Sequence, residues 1–227
     1  MSKTRVTKAP DVRRTEILDT AQKLFMRAGY ELTSVNTIIA AVGVSKGAFY
    51  HYFKSKEDLL DQIVQRSVYE MRDGIRAIAD KDGLNALEKL NLTFRTTANY
   101  KVANKALFKT LMQVLYRDDN AILLRKMLRT GTSLIAPVVS EIIQQGTREG
   151  VFDTPFPEQA GELIFGIGRG TNETVAALFL ELPQKPQNKL LIEKQMDMYE
   201  NAIERILGAP SGSIHIADRD LILSFAS

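Results

Sequence analysis

The 227-residue sequence has no cysteine and only two histidines, His51 and His215. Without thiols there is neither a disulfide framework nor a thiolate metal site, and the chain needs no oxidising compartment. Two histidines so far apart leave almost no material for a His-centred metal site or a nucleophile triad. The acidic residues are spread at helix-surface spacing, and no pair sits in an apolar setting that would divide acid from base. No catalytic residue, metal or cofactor is therefore expected, and the chain reads as a non-enzyme. Long apolar runs are missing too, and the basic, polar start Met1–Lys8 has no apolar stretch behind it. The expectation is a soluble, cytoplasmic protein with no membrane segment, associated with the nucleoid if it meets DNA. No convincing strand and no internal repeat can be found.

What is present is 44% hydrophobic content, enough at this length for a real core. Charge is unevenly divided. Residues 1–56 hold ten Lys or Arg against four Asp or Glu, a net +6, whereas the remainder carries −3. A basic end on a mildly acidic molecule is what phosphate binding by that end requires, since a plain solvated surface spreads its charge.

Within the basic end, residues 33–56 write two short helices around a glycine turn. Thr33 and Ser34 precede the apolar pair Ile38 and Ile39, and either can cap the first helix. Gly43 suits the left-handed residue that ends it, with Val44 folding back as the accompanying apolar contact. Ser45 restarts the chain as an N-cap, and Phe49, Tyr52 and Phe53 follow at the spacing of one buried face. Gly47, Tyr50 and His51 then point away from that face, with Lys46 on the flank beside a helix N-terminus that favours anions. Gly47 weakens the helix but leaves room for close backbone approach. The whole is a helix-turn-helix, a unit that reads DNA.

The pattern Ile17-Leu18, Ala21, Leu24-Phe25, Gly29-Tyr30, Thr33, Ile39-Ala40, Gly43-Val44-Ser45, Phe49-Tyr50-His51-Tyr52-Phe53 and Lys56-Glu57-Asp58-Leu59-Leu60 resembles the TetR/AcrR family of bacterial transcriptional regulators. Val42 and Tyr52 are its small departures. The resemblance covers the first quarter of the chain. It implies an all-α protein: a three-helix DNA-binding head on a larger, helical, ligand-binding and dimerising body. The expected DNA-binding residues are Thr33, Ser34, Ser45, Lys46, Gly47, Ala48, Tyr50, His51 and Lys56. The expected partners are double-stranded, palindromic operator DNA, a second copy of the chain, and a small-molecule effector that releases a repressor from its operator. The alternative is a TetR-like protein-interaction module or coregulator that acts through a protein partner.

Along the chain, residues 1–10 form a basic arm that either enters a minor groove or is an unstructured tail. Asp11 is a plausible cap for a helix from about Val12 to Ala28. Ser55 with Asp58 forms a capping-box-like start to a long helix reaching Ala79. Amphipathic segments follow at about 84–101 and 103–116. Asp118-Asp119-Asn120 marks the start of a long segment to Gly146 that Pro137 should kink or divide. After a loop at Thr154–Pro157, two helices run at about 158–181 and 188–207. The division is a head at 1–54, a body at 55–208 and a tail at 209–227, in which Leu221-Ile222-Leu223 suggests a short docked helix. About nine or ten helices are expected in all.

In the body, Phe94, Phe108, Met112 and Tyr116 either line a ligand cavity or are plain core. Arg95 and Arg169 sit among apolar or small neighbours and either anchor an acidic effector or close an interhelix ion pair, the reading preferred. Gly166-Ile167-Gly168-Arg169-Gly170-Thr171 lacks the strand, spacing and lysine of a phosphate loop. Its small residues suit a close helix crossing at a dimer seam, in which the last two helices pair with their mates around Leu178 and Ile203.

Overall fold

The computed structural model describes residues 10–116 and 121–218, which form nine α-helices and no strand. They are α1 (Pro10–Ala28), α2 (Val35–Val42), α3 (Lys46–Tyr52), α4 (Lys56–Ala79), α5 (Ala86–Ala103), α6 (Lys105–Leu115), α7 (Ala121–Arg148), α8 (Pro157–Glu181) and α9 (Asn188–Leu207). The arm before Pro10, the Asp118-Asp119-Asn120 start and Leu221-Ile222-Leu223 lie outside the described residues. None of these helices is long and apolar enough to cross a membrane.

Local chemistry sets most of the boundaries. The Asn85 amide carbonyl accepts from Glu88 N while the Glu88 carboxylate accepts from Asn85 N, a full capping box on α5. At α4 only half of such a box forms. Ser55 Oγ accepts from Asp58 N at 3.1 Å, but the Asp58 carboxylate reaches one residue further back and accepts from Lys54 N at 2.8 Å. Asp11 is not a cap. It lies in the first turn of α1, where its carbonyl accepts from Thr15 Oγ1, because the helix begins at Pro10, whose fixed φ suits a first turn.

Pro137 does not divide α7, which is one helix of 28 residues. The proline is exposed while Ile135, Ala136, Val138 and Val139 around it are buried. The carbonyl it orphans therefore faces solvent, and packing on the other side holds the helix together.

Two apolar cores form. The upper one joins Ile17, Leu18, Ala21 and Phe25 of α1 to Ile38, Phe49 and Phe53 of α2, α3 and the residue after it, and to Leu59, Leu60, Ile63 and Val64 of α4. It also takes in Leu107, Leu111, Val114 and Leu115 of α6. The fully buried Phe25, Phe49 and Phe53 each contribute roughly 1.5–3 kcal/mol by leaving water. The lower core packs α7 between α4, α5 and α8, with Ile203 and Leu207 of α9 and Ile214 beyond it. α7 and α8 are in close contact at Gly161, where an added methyl would meet the Ala136 carbonyl oxygen and Ser140 Oγ at 2.5 Å.

Contacts between the halves are specific. Thr110 of α6 donates to the Phe25 carbonyl of α1, Arg66 of α4 bonds Asp19 and Gln22 of α1, and Lys126 of α7 pairs with the nearly buried Asp61 of α4. Arg76 of α4 holds Glu141 of α7 with both guanidinium nitrogens at 2.5 and 2.9 Å, which keeps the Glu141 carboxyl below its ordinary range.

Candidate nucleic-acid interface

α2 opens at Ser34, whose backbone is extended (φ −83°, ψ 157°) and whose Oγ accepts from Thr37 N at 3.0 Å. It closes at Gly43 with φ 73°, where the amides of Gly43 and Val44 both turn back onto the Ile39 carbonyl. Ser45 repeats the Ser34 geometry and accepts from Ala48 N at 3.2 Å, starting α3 two residues after the turn. Each such cap is worth about 1 kcal/mol. The orientation of α3 is fixed by burial: Phe49 and Phe53 are sunk in the upper core with ring centroids 5.7 Å apart. Tyr52 is only half-buried and rests edge-on against His51.

Fixing that face leaves Ser45, Lys46, Gly47, Tyr50 and His51 exposed, with Ala48 half-buried between them. Tyr50 is 46% exposed, its ring held edge-on by Phe49 at 5.3 Å. Ser34 is exposed at the start of α2. An ammonium, a phenol, an imidazole and two hydroxyls thus share one side of the helix pair, with no Asp or Glu on α2 or α3 to oppose an anion.

Two expected DNA contacts do not stand on that surface as assumed. Thr33 is 1% exposed, and its hydroxyl donates to the Gly29 carbonyl at 2.7 Å, tying the α1–α2 turn. The turn itself is made by Gly29, whose φ of 84° is a left-handed backbone that glycine adopts freely. Lys56 Nζ donates to the Tyr30 carbonyl at 3.1 Å and lies 4.0 Å over the Tyr30 ring, so its charge is already engaged within the head. Burial and the Glu57 carboxylate push the Tyr30 phenol above its ordinary range. The exposed Asn36, Thr37 and Lys54, which sequence reasoning passed over, border the same face. Their signal was helical phase: Asn36 lies opposite the buried Ile38, and Thr37 on the flank between them.

In the body, Phe94 packs against the lower core and Tyr116 against the upper one. Phe108 meets Tyr100 edge-on at 6.0 Å, and Met112 is half-buried on α6. Arg95 and Arg169 are both exposed, and neither closes an ion pair among the described residues. Their small neighbours signalled surface, not burial. Arg95 instead borders an open groove of about 410 Å³ beside Leu84, Asn91 and His215. Residues 213–216 strap across this end: Asn91 of α5 bonds the Ser213 carbonyl and His215 N, while Glu204 and Glu200 of α9 accept from Ile214 N and Ile216 N.

The glycines of α8 divide. Gly168 faces Tyr199 of α9 within the same protomer, where a methyl would lie 2.4 Å from the Oη that donates to the Ile164 carbonyl. Gly166 and Gly170 face open space. Ile203 is wholly buried in the protomer's own core, so it is not a seam residue.

Fold and surface together define a helix-turn-helix head packed through α6 onto a helical body. Residues 17–63 match the profile described as "Bacterial regulatory proteins, tetR family". The uncharacterized HTH-type transcriptional regulator YvaF of Bacillus subtilis is 27% identical over 57% of this chain and 67% of its own length. The HTH-type transcriptional repressor KstR2 of Mycolicibacterium smegmatis is 26% identical over 71% and 77%. SmeT, repressor of a Stenotrophomonas maltophilia multidrug efflux pump, shares the fold in its triclosan complex with a TM-score of 0.63, at 18% identity over 91% of this chain and 98% of SmeT. Residues 17–63 thus carry the TetR-family helix-turn-helix domain, and the rest of the chain shares its fold with solved TetR-family structures.

Proposed function

We propose that this chain is a cytoplasmic homodimeric repressor that leaves a palindromic operator when a small molecule occupies its body. The observation that carries the reading is the shared upper core: Leu107, Leu111, Val114 and Leu115 of α6 pack into the same cluster as Phe25, Phe49 and Phe53 of the head. A shift of α6 therefore cannot occur without repacking the head. A ligand preferring one arrangement of the body shifts the population between two head positions by its differential binding energy, typically about 1–3 kcal/mol or roughly 5–150-fold in affinity.

Ser34, Ser45, Lys46, Gly47, Ala48, Tyr50 and His51 make the DNA contacts in this reading, with Lys46 on phosphate and Tyr50 and His51 toward the groove. Thr33 is structural, and Lys56 positions the turn at Tyr30. The dimer seam is the exposed apolar side of α8 and α9, where Leu163, Ile167, Leu191 and Met198 stand uncovered on either side of Gly166 and Gly170. The named relatives support repression and a ligand-responsive body by analogy: KstR2 and SmeT are repressors, and SmeT takes triclosan.

In vitro selection from random duplexes tests the reading. It should enrich a palindrome whose half-sites lie about 10–10.5 base pairs apart, or a multiple, since two recognition helices must enter grooves on one face. Enrichment of no duplex over non-specific binding would reject a DNA-reading function and favour a partner protein.

A further inference from the structure

Among the described residues, only α4 and α7 reach both cores. α4 gives Leu59, Leu60, Ile63 and Val64 to the upper core and Ile75 to the lower. Leu124 and Met127 of α7 pack on the upper core, and Ile135, Val138 and Ile142 belong to the lower. Two ion pairs fix how these helices lie along each other. Asp61 of α4 pairs with Lys126 of α7, and Arg76 of α4 pairs with Glu141 of α7. Both pairs join residues 65 apart in the sequence. α4 and α7 therefore run parallel and hold one register from the first pair to the second, about 22 Å of helix. A slide of α4 along α7 breaks both pairs at once.

The pairs differ in depth. The Arg76 and Glu141 side chains are 39% and 52% exposed, and water weakens such a pair. The Asp61 side chain is 11% exposed, and Gln65 Nε2 donates at 3.0 Å to the oxygen that Lys126 engages. A carboxylate taken that far out of water depends on its cation. Asp58 lies three residues earlier on the same side of α4. Burial disfavours its ionised carboxylate, but the bonds from Lys54 N and Gln62 Nε2 and the charges of Lys54 and Lys126 hold the group below its ordinary range. The Lys54 bond, at 2.8 Å, ties down the backbone just past the end of α3. One cation of the body thus faces the two α4 carboxylates nearest the recognition helix.

We infer that Lys126 is a positioning residue for DNA reading: by holding Asp61 and facing Asp58 it sets where α3 stands against the body, and with it the separation of the two recognition helices in the dimer. The inference rests on the dimeric DNA-binding reading above and names a contact through which the body governs the head. Lys126 touches no DNA in this reading, since it acts through α4.

The Lys126 side chain is 50% exposed, so replacing it leaves no cavity. The chain has no cysteine, and Arg27→Cys on the exposed side of α1 therefore carries one spin label per head. Dipolar spectroscopy of the dimer should find the label separation in Lys126→Met shifted or spread by at least one base-pair step, about 3.4 Å. Lys126→Arg keeps the cation and should keep the wild-type separation. In parallel, the selected palindrome is compared with duplexes whose half-sites stand one base pair nearer or further apart. Lys126→Met should lose at least tenfold of the wild-type preference for the selected spacing, and Lys126→Arg should retain it. A lower melting temperature in Lys126→Met with unchanged label separation and unchanged spacing preference makes the pair merely structural and overturns the inference. A shifted separation in a protein whose wild type selects no duplex leaves Lys126 as the residue that sets the head and rejects the DNA reading instead.

Discussion

Alanine at three glycines of α8 should give opposite signs, because the space at each is different. At Gly161 the methyl would meet two atoms of α7 at 2.5 Å and the Ser140 amide nitrogen at 2.8 Å. One of the closer two is a backbone carbonyl oxygen, which cannot rotate away, so the helices must separate. Overpacking of this kind costs about 1–3 kcal/mol. Alanine regains about 1 kcal/mol of helix propensity. The backbone clash puts the cost at the upper end of that range, so Gly161→Ala should be destabilised by a net of about 2 kcal/mol, read as a lower urea midpoint at fixed protein concentration. Gly166→Ala and Gly170→Ala meet nothing within 4 Å in the protomer. Each should keep the propensity gain in the isolated protomer but obstruct a symmetry mate approaching along Leu163 and Ile167. The double variant should dissociate at least tenfold more readily in sedimentation equilibrium, a change of about 1.4 kcal/mol. A Gly161→Ala protein as stable as the wild type would refute the packing argument, and an unchanged dimer constant in the double variant would move the seam off this stripe.

Other outcomes follow from individual contacts. Thr33→Val removes the donor to the Gly29 carbonyl and should destabilise the head by about 1–3 kcal/mol in denaturant titration, leaving the salt dependence of DNA binding unchanged. Lys101→Met should be more stable than the wild type at neutral pH. The folded lysine releases its proton below 10.5, its ordinary value, so the unfolded chain binds more protons in that interval and wild-type stability rises with pH there. The gap between the two melting temperatures should accordingly narrow from neutral pH toward 10.5; a constant gap would place Lys101 in water.

Much of this fold is legible in the sequence because its signals are local. Ser34, Gly43 and Ser45 have one good use each at a helix end, and α2 and α3 form where those residues put them. The all-helical class and the spans of α8 and α9 follow equally from apolar period and proline position. What escaped is decided by tertiary partners. Thr33 and Ser34 are adjacent hydroxyls, and only the approach of the Gly29 carbonyl assigns one to the interior. Lys56 looks like a free cation until Tyr30 is folded against it. Pro137 should break a helix in isolation, but buried neighbours on both sides outweigh one missing bond. The strap at residues 213–216 has no periodicity to announce it, since backbone amides paired with distant Asn and Glu side chains hold it.

The central claim is that the exposed face of α3 binds duplex DNA through Lys46 with Tyr50 and His51 beside it. Its most direct test is the salt dependence of binding to the selected palindrome for the wild type and Lys46→Ala. Log affinity should fall linearly with log salt, at roughly 0.9 per phosphate neutralised, and Lys46→Ala should flatten that slope by about 0.9 for each head while weakening matched and unmatched duplexes alike. Wild-type affinity and slope in Lys46→Ala would contradict the account by taking this face of α3 off the DNA.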